Sequence, residues 1–335
     1  MKTIDNRFYG MTNKKMLSLP DFKEKQMLFA HAEWGTKSFL RFANDNIVFS
    51  KDGKIISRAS CHKVFAVFIV GDIAITSRLL QQAATHAISL FFMRNNFEVF
   101  APFSARAEGN YLLRIKQYSL SEDKELSISR LLVKNKAENQ MRLLKSRNKA
   151  GDWETYWQNA VLRIAGAKDN QELLGIEGEL SRRFFSEYFK DMDWRRRMPR
   201  VKPDVPNFLL DMGYTYLFNV VDALLRLHGF DTYKGVYHKL FFQRKSLACD
   251  LVEPFRCIID HALLKAHNLK QVDGDDFSVA EKKVALSYDK QRKYATIFLE
   301  TIMDHKEDIF SFVHGFYRFI MDSKNEFPEF AIHIE

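Results

Sequence analysis

The apolar positions of the chain follow two different periods, and the change between them occurs near residue 109. From residue 38 onward, short segments such as SFLRF, NIVFS, IISRAS and FEVFAPF are rich in Phe, Val and Ile, which is typical of strands. The pair Asp52-Gly53 predicts a hairpin turn. The continuous run VFAVFIV predicts a buried strand, and the pattern over residues 76–87 predicts one short helix.

After residue 109 the apolar residues recur at helical spacing instead. The predicted helices cover residues 126–145, 153–165, 170–189, 247–266 and 289–305. A further helix is indicated by PDVPNFLLDMGYTYLFNVVDALLRLHGF, in which prolines precede the start and Gly229 stands at a C-cap position. The sequence therefore predicts an α+β protein. Residues 1–108 form a β-rich domain with a weakly patterned extension over 1–37, and residues 109–335 form a larger all-helical domain.

The overall composition is that of an ordinary globular protein with a basic surface. The 335 residues are 46% hydrophobic and 28% charged, and the formal net charge of +9 favours a polyanionic partner. The three cysteines are widely spaced and match neither a disulfide framework nor a zinc motif. No apolar run is expected to span a membrane, and the start MKTIDNRFYG lacks the apolar core of a signal peptide. These features predict a cytoplasmic protein.

Three stretches of the helical region combine acids and a histidine with apolar neighbours. They are GIEG with Glu177, GVYHKL with His238, and SLACDLVEPFR with Asp250 and Glu253. Since the last two acids are three residues apart, they are expected to share one helix face. Two or three carboxylates with one imidazole suit Mg²⁺ or Mn²⁺, with positions left open for phosphate oxygens.

Each of these residues alone has a simpler explanation. Glu177 fits a surface or N-terminal helix position, His238 fits a hydrogen-bonded core histidine, and the two later acids fit a solvated helix face. Gly178 weakens its helix by roughly 1 kcal/mol relative to Ala, which indicates a close approach to the backbone beside Glu177. Either a packed helix or a metal ion with a bulky substrate would explain such an approach.

The order in which the motifs occur favours a metal site over these simpler explanations. GIEGELSRRFF, NFLLDMGYTYL, GVYHKL and SLACDLVEPFR together resemble the CRISPR adaptation integrase family, whose members insert new spacers into a CRISPR array. HKVFAVFIVGDIAITSRLLQQAATHAISLFFM and AEGNYLLRIKQY resemble that family's β domain and its entry into the helical domain. The resemblance covers residues 38–265 or so. It implies an N-terminal β-sandwich-like domain followed by an all-helical catalytic domain.

The resemblance also implies roles for individual residues. Glu177, His238 and Glu253 correspond to the family's catalytic metal ligands for Mg²⁺ or Mn²⁺, with the histidine neutral. Asp250 corresponds to a supporting acid that either reaches the metal or holds its water. Residues expected beside the ligands or on DNA phosphates are Arg182, Arg244 and Ser246. The basic run DWRRRMPRVK is expected to be a solvated surface or to contact the DNA backbone; its arginines are Arg195, Arg196, Arg197 and Arg200.

The expected activity is that of a metal-dependent DNA integrase and endonuclease. A 3′-hydroxyl of prespacer DNA would attack a phosphodiester of the CRISPR repeat, and water in its place would give hydrolysis. The alternative is a non-catalytic basic scaffold that positions DNA for another enzyme. The implied partners are prespacer and repeat duplexes, a second copy of the chain in a homodimer, and a small ferredoxin-like adaptation protein. Three positions depart from the family pattern without touching the ligands: Asp211, Cys249 and Cys257.

Overall fold

The chain folds into a strand-rich N-terminal region and a larger helical region. The computed structural model describes residues 25–32, 35–94, 99–103, 110–147, 152–192, 196–280 and 283–334. The N-terminal strands are β1 (Gln26–His31), β2 (Ser38–Ala43), β3 (Asn46–Lys51), β4 (Lys54–Ser60), β5 (Val64–Val70), β6 (Ile73–Ile75), β7 (Ser89–Met93) and β8 (Val99–Phe103). One short helix, α1 (Ser77–Thr85), lies between β6 and β7.

These strands form two sheets that face each other. The strand orders are β1-β5-β7-β8 and β4-β3-β2-β6. Leu40 and Ile47 of one sheet share an apolar cluster with Val67 and Leu90 of the other. The predicted β-sandwich-like architecture is therefore confirmed. The hairpin at Asp52-Gly53 is also present, with both residues at positive φ as a tight two-residue turn requires.

Strand β5 explains why VFAVFIV is apolar at every position. It pairs in parallel with β1 on one side and with β7 on the other. Val67 and Ile69 enter the core between the sheets, whereas Phe65 and Phe68 enter the core shared with the helices. A strand buried on both faces has no solvent side that would call for polar residues.

Strand β1 lies within residues 1–37, described above as a weakly patterned extension. Its backbone pairs with β5 from Met27 opposite Ala66 to His31 opposite Val70. The segment QMLFAH is mostly half-buried, so it shows no clear alternation. Its hydrogen-bond partner lies far along the chain, and local pattern therefore could not reveal it.

The helical region contains nine α-helices within the described residues. They are α2 (Tyr111–Tyr118), α3 (Glu122–Ser146), α4 (Trp153–Gly166), α5 (Asn170–Tyr188), α6 (Val205–His228), α7 (Ser246–Val252), α8 (Arg256–Asn268), α9 (Gln291–Asp304) and α10 (Lys306–Met321). Helix α6 begins where the Asp204 carboxylate accepts a hydrogen bond from Asn207 N–H at 2.8 Å, and it ends at the predicted C-cap, Gly229, in the left-handed region. Pro203 precedes the helix as predicted, whereas Pro206 lies within its first turn.

Two details differ from the expectation of an all-helical second domain. Strands β9 (Phe277–Ala280) and β10 (Lys283–Leu286) form an antiparallel hairpin. The helix predicted over residues 247–266 is interrupted by a 3₁₀ turn, Glu253–Phe255. Pro254 has no N–H to donate to the carbonyl four residues earlier, so the regular α-helical hydrogen bonding stops there.

Helix α6 is long and apolar enough, by length and composition, to cross a membrane, contrary to the expectation from the sequence. The other helices of the described residues do not meet this test. However, 78% of its most apolar 18-residue window is buried inside the protein. Its apolar residues are explained by their position in the core shared with α8, α9 and α10.

The segment after α10 is attached to helix α3 by two buried asparagines. Asn135 exchanges two hydrogen bonds with the Phe330 backbone, at 2.7 and 3.0 Å. Asn139 accepts from Ile332 N–H at 2.9 Å and donates to the carbonyl of Pro254 at 3.3 Å. These contacts hold the 3₁₀ turn after α7 against α3.

The end of α6 generates a prediction about pH. Burial lowers the pKa of His228 to about 4, although its Nδ1–H donates to the Leu224 carbonyl at 2.8 Å. The unfolded chain binds this proton more readily, so stability is lost as pH falls from 6.5 towards 4. Urea unfolding should show that His228→Gln removes about 2 kcal/mol of the stability difference between pH 7 and pH 5.

The exposed His333 provides the matched control. His333→Gln should leave the difference between pH 7 and pH 5 within about 0.5 kcal/mol of the wild type. An unchanged pH dependence in His228→Gln would contradict the assignment of a buried neutral imidazole to this position.

Candidate active site

A buried lysine joins two of the three acids that the sequence singles out. Lys136 lies on α3, and Glu177 lies on the neighbouring helix α5, where Ile176 and Leu180 face the core. The Lys136 ammonium binds Glu177 Oε1 and lies 2.6 Å from Glu253 Oε2. Because both acids bind one cation, α3, α5 and the turn after α7 meet at a single point.

The remaining oxygens of these two carboxylates also have donors. Glu177 Oε2 accepts a hydrogen bond from the Tyr237 hydroxyl at 2.8 Å, and Glu253 Oε1 accepts from Arg256 Nη1 at 3.0 Å. Burial by itself would raise the pKa of Glu253, but Arg256 and Lys136 hold it at about 2. Burial and Glu177 raise the pKa of Tyr237, so that its hydroxyl remains a donor. Glu253 is therefore a carboxylate at neutral pH.

Asp250 organises the loop that carries His238. It is fully buried, and its oxygens accept the backbone N–H groups of Val236, Tyr237 and His238 at 2.7, 3.0 and 2.9 Å. The same carboxylate lies 2.6 Å from His238 Nδ1. Since this carboxylate accepts hydrogen bonds from all of these groups, His238 Nδ1 is the donor, and Nε2 is the ring nitrogen left to act as a ligand.

The spacing of Asp250 and Glu253 predicted that the two acids share one helix face. In the structure their carboxylates instead contact different groups. The break at Pro254 follows them, and the two acids have separate sets of partners. Asp250 turns towards the loop before α7, whereas Glu253 turns towards α3. In this geometry Asp250 orients the His238 ring and the loop that carries it.

Behind the acids lies a second polar cluster, which sequence reasoning did not identify. The guanidinium of Arg256 lies 4.1 Å from the centre of the Tyr214 ring, and the Tyr214 hydroxyl donates to Asp260. Burial raises the pKa of Asp260 to about 6, although this hydrogen bond and Arg256 oppose the shift. Arg256 is thus held in place from both sides, by Glu253 and by Tyr214.

Lys136 was also missed, although the sequence contains a signal for it. In KNKAENQMRLLKSRNK it belongs to a charge run that is usually solvated. It nevertheless stands four residues after Leu132 and three after Val133, both buried, so helical spacing puts it on the apolar face. A lysine on such a face needs an acidic partner.

The other predicted site residues have different surroundings. Ser246 is fully buried, and its hydroxyl donates to the Lys239 carbonyl at 3.2 Å, so it holds the loop and does not face solvent. Arg182 is exposed on α5, and Arg244 is half-buried.

The arginine run does not form one continuous cationic surface. Arg196 and Arg200 are exposed. Arg197 differs from the expectation, because it is largely buried and its guanidinium binds Asn207 Oδ1 at 2.9 Å and Asp211. Arg195 lies outside the described residues.

Gly178 has open space around it. A Cβ built at this position would meet no atom within 4 Å, and the residue is exposed. Close packing of a neighbouring helix therefore does not explain this glycine.

A divalent cation requires several oxygen or nitrogen ligands close together. Across the ranges that the structure describes, no three His, Cys, Asp or Glu side chains are grouped closely enough to hold a metal ion. The chemistry fits nonetheless. Glu177 and Glu253 already share one cation, the Lys136 ammonium, and Asp250 orients the His238 ring through Nδ1, which leaves Nε2 as the nitrogen that could bind a metal. Carboxylate oxygens with one imidazole are donors that Mg²⁺ and Mn²⁺ accept.

Comparison with known proteins gives consistent matches. A family model described as "CRISPR associated protein Cas1" matches residues 34–300. A CRISPR-associated endonuclease Cas1 from Thermodesulfovibrio yellowstonii is 27% identical over 302 residues, covering 85% of this chain and 95% of that protein.

Two solved structures share the fold. A casposase bound to integration product superposes with a TM-score of 0.75 at 19% identity, covering 91% of this chain and 92% of that one. A Cas6-RT-Cas1–Cas2 complex superposes with a TM-score of 0.72 at 21% identity, covering 89% of this chain and 35% of that one.

The central ion pairs generate a prediction about stability. Lys136→Met removes the cation that Glu177 and Glu253 share, leaving two buried carboxylates with fewer donors. The free energy of unfolding at pH 7, measured by urea titration, should fall by about 3–5 kcal/mol. Adding Glu253→Gln to Lys136→Met should restore part of the loss, because a neutral amide is less costly to bury.

Lys134 supplies a control on the same helix. Its side chain is 38% exposed and lies 3.8 Å from Glu329. Lys134→Met should therefore change the free energy of unfolding by less than about 1 kcal/mol. Equal stability of Lys136→Met and Lys134→Met would contradict the central role of the buried lysine.

Proposed function

Because the chain belongs to the CRISPR-associated Cas1 family, we propose that it is a metal-dependent DNA integrase and endonuclease of CRISPR adaptation. The observation that carries the proposal is the convergence of Glu177 and Glu253 on one cation, beside a loop in which His238 is oriented by a buried aspartate. Three segments far apart in the chain supply these groups, and such an arrangement is costly to maintain for a purely structural role.

In the proposed enzyme, Glu177, Glu253 and His238 would hold Mg²⁺ or Mn²⁺. Such an ion, when bound, polarises a phosphodiester and stabilises charge on the attacking and leaving oxygens. The proposed reaction is a transesterification. The oxygen of a prespacer 3′-hydroxyl forms a new bond to phosphorus, one phosphorus–oxygen bond of the repeat breaks, and the leaving oxygen becomes a free hydroxyl. The attacking hydroxyl gives its proton to solvent, and the leaving oxygen takes one from solvent. Water in place of the hydroxyl gives strand cleavage.

The protein's own residues set up this chemistry. Asp250 fixes the His238 ring and its tautomer, so that Nε2 presents a lone pair. Tyr237 orients the Glu177 carboxylate through its hydroxyl, and Arg256 does the same for Glu253. The low pKa of Glu253 keeps it ionised over the physiological range. Each proposed ligand is thus supported by a neighbour that fixes its orientation.

The alternative, a non-catalytic DNA-binding scaffold, is less well supported. A scaffold needs a basic surface, which a net charge of +9 provides. It does not need buried carboxylates that share a cation next to an oriented histidine.

We also propose the partners implied by the family. They are prespacer and repeat duplexes, a second copy of this chain, and a small ferredoxin-like adaptation protein, in the cytoplasm. The fold similarity to the Cas6-RT-Cas1–Cas2 complex supports a partner protein, and the casposase bound to integration product supports a DNA substrate. Exposed Arg182, Arg196 and Arg200 are the proposed contacts to DNA phosphates, with Arg244 at the edge of the site.

Substitution of the proposed ligands tests this function. Glu177→Gln, Glu253→Gln and His238→Ala should each lower the joining of a free 3′-hydroxyl to a target duplex by about a hundredfold or more with Mn²⁺ present. Joining is measured on gels with a labelled donor strand, with the partner protein supplied. EDTA should stop the wild-type reaction.

Two controls separate chemistry from binding. Glu179→Gln is the matched variant, because Glu179 lies on the same helix but is exposed and paired with Arg163 at 2.7 Å. It should join DNA at close to the wild-type rate. A donor strand ending in a 2′,3′-dideoxynucleotide should bind normally and fail to join. Joining of that strand, or joining unaffected by EDTA, would refute the mechanism, whereas binding without joining under every condition would favour the scaffold.

A further inference from the structure

The shared lysine of the proposed metal site has a consequence for when that site can bind metal. We infer that the Lys136 ammonium competes with the divalent ion for Glu177 and Glu253, and that a nucleic-acid phosphate relieves this competition by attracting the ammonium. The inference rests on the proposed function, and it adds a mechanism that couples metal binding to substrate binding.

The geometry carries the first half of the inference. The ammonium binds an oxygen of Glu177 and lies 2.6 Å from an oxygen of Glu253, so it already neutralises charge that a metal would use. A divalent ion beside an ammonium within a few ångströms is strongly repelled, especially in a buried site. Metal binding to the free protein must therefore displace Lys136 or act against its charge.

The second half follows from what the displaced ammonium needs. A buried ammonium without a partner is costly, so Lys136 cannot simply be released into the core. Its four-carbon stem is flexible, and its three donors suit a phosphate oxygen as well as a carboxylate. A phosphodiester that reaches this site supplies that partner. By linkage, DNA then tightens metal binding, and metal tightens DNA binding by the same factor.

Mn²⁺ titration by calorimetry tests the inference without any measurement of activity. The proteins are wild type, Lys136→Met and the exposed control Lys134→Met, each with and without a duplex ending in a dideoxynucleotide. Without DNA, Lys136→Met should bind Mn²⁺ about tenfold more tightly than wild type. DNA should tighten Mn²⁺ binding by about tenfold more in wild type than in Lys136→Met. Lys134→Met should behave as wild type.

Lys136→Arg provides a second test in case the Met variant folds poorly. It keeps the competing charge and should bind Mn²⁺ no more tightly than wild type does. Equal Mn²⁺ affinity in wild type and Lys136→Met, or equal enhancement by DNA in both, would overturn the inference and leave the proposed function intact. Absence of Mn²⁺ binding in all of these proteins, with or without DNA, would overturn the metal site itself and this inference with it.

A different observation concerns the loop that follows His238. Its side chains Leu240, Phe241 and Phe242 are consecutive, apolar and exposed, and Phe242, at 85%, is the most exposed large hydrophobic residue of the described ranges. The stretch from residue 239 to 245, KLFFQRK, contains three cations and no acid.

The base of this loop is firmly held. Asp250 binds the backbone N–H groups of residues 236–238, and the Ser246 hydroxyl donates to the Lys239 carbonyl. Arg244 N–H donates to the Phe241 carbonyl at 3.0 Å across the tip, with Gln243 at a φ of 58°. Two phenylalanines are therefore presented to solvent on a fixed turn, directly beside the proposed site.

We propose that Phe241 and Phe242 stack on an unpaired nucleobase of a DNA strand that enters the proposed site. Of the flanking cations, Lys245 is paired with Asp222 at 2.9 Å, whereas the exposed Lys239 and the half-buried Arg244 match a polyanionic strand. Aromatic faces stack on bases of any sequence. This second proposal also rests on the proposed function for its location. Its occupant is a single-stranded end, because bases within an intact duplex have no free face to offer.

Binding of two DNA ligands in EDTA tests this proposal apart from any joining. The ligands are a blunt duplex and the same duplex with a short 3′ single-stranded tail. The double variant Phe241→Leu, Phe242→Leu keeps an apolar loop but loses the aromatic faces. It should bind the tailed duplex about 5- to 150-fold more weakly than wild type, with blunt-duplex binding within about twofold.

Phe100, 58% exposed on β8, gives the control variant Phe100→Leu, which should bind both ligands as wild type does. Phe241→Trp with Phe242→Trp should keep the preference for the tail. An equal loss on both ligands, or no loss on either, would overturn the stacking proposal. Loss of self-association in Phe241→Ser, Phe242→Ser, with the tail preference unchanged, would assign the loop to contact with a second copy and likewise overturn it.

Discussion

The ion pairs of Lys136 with Glu177 and Glu253 are the constraint on which the helical region depends. They connect helix α3, helix α5 and the turn after α7 at one buried point. Two carboxylates so close together repel each other, and only a cation between them makes their burial tolerable. Arg256 adds a second cation on the far side of Glu253. The buried charges of the site therefore stabilise one another only when all of them are present.

Helix α3 connects this site to other parts of the protein. Lys136 faces the acids, while Asn135 and Asn139 bind the segment around Phe330 and the turn that carries Glu253. Strand β5 contributes phenylalanines to the core of the helical region, so the sandwich and the helices share one apolar cluster. The last described segment and the turn that carries Glu253 are both fixed to α3. Rigid support of this kind keeps functional groups in one geometry.

The sequence predicted the fold class well, because strands and helices differ in apolar period over long stretches. It failed where partners are distant. Strand β1 depends on β5, and the antiparallel strands β9 and β10 are too short for their pattern to stand out. For the site, motif order led to Glu177, His238, Asp250 and Glu253. It could not reveal Lys136, whose charge suggested solvent, or show that Arg197 is buried against Asp211. Local patterns carry periodicity, whereas ion pairs between helices are visible only in three dimensions.

The asparagine contacts of helix α3 also bear on how the chain is made. Asn135 and Asn139 bind backbone about 190 residues further along, at Phe330 and Ile332. During synthesis, α3 leaves the ribosome long before residues 330–332 are made, so its two asparagine side chains lack these hydrogen-bond partners until then. The contacts that fix helix α3 beside the acidic centre are therefore complete only late in translation.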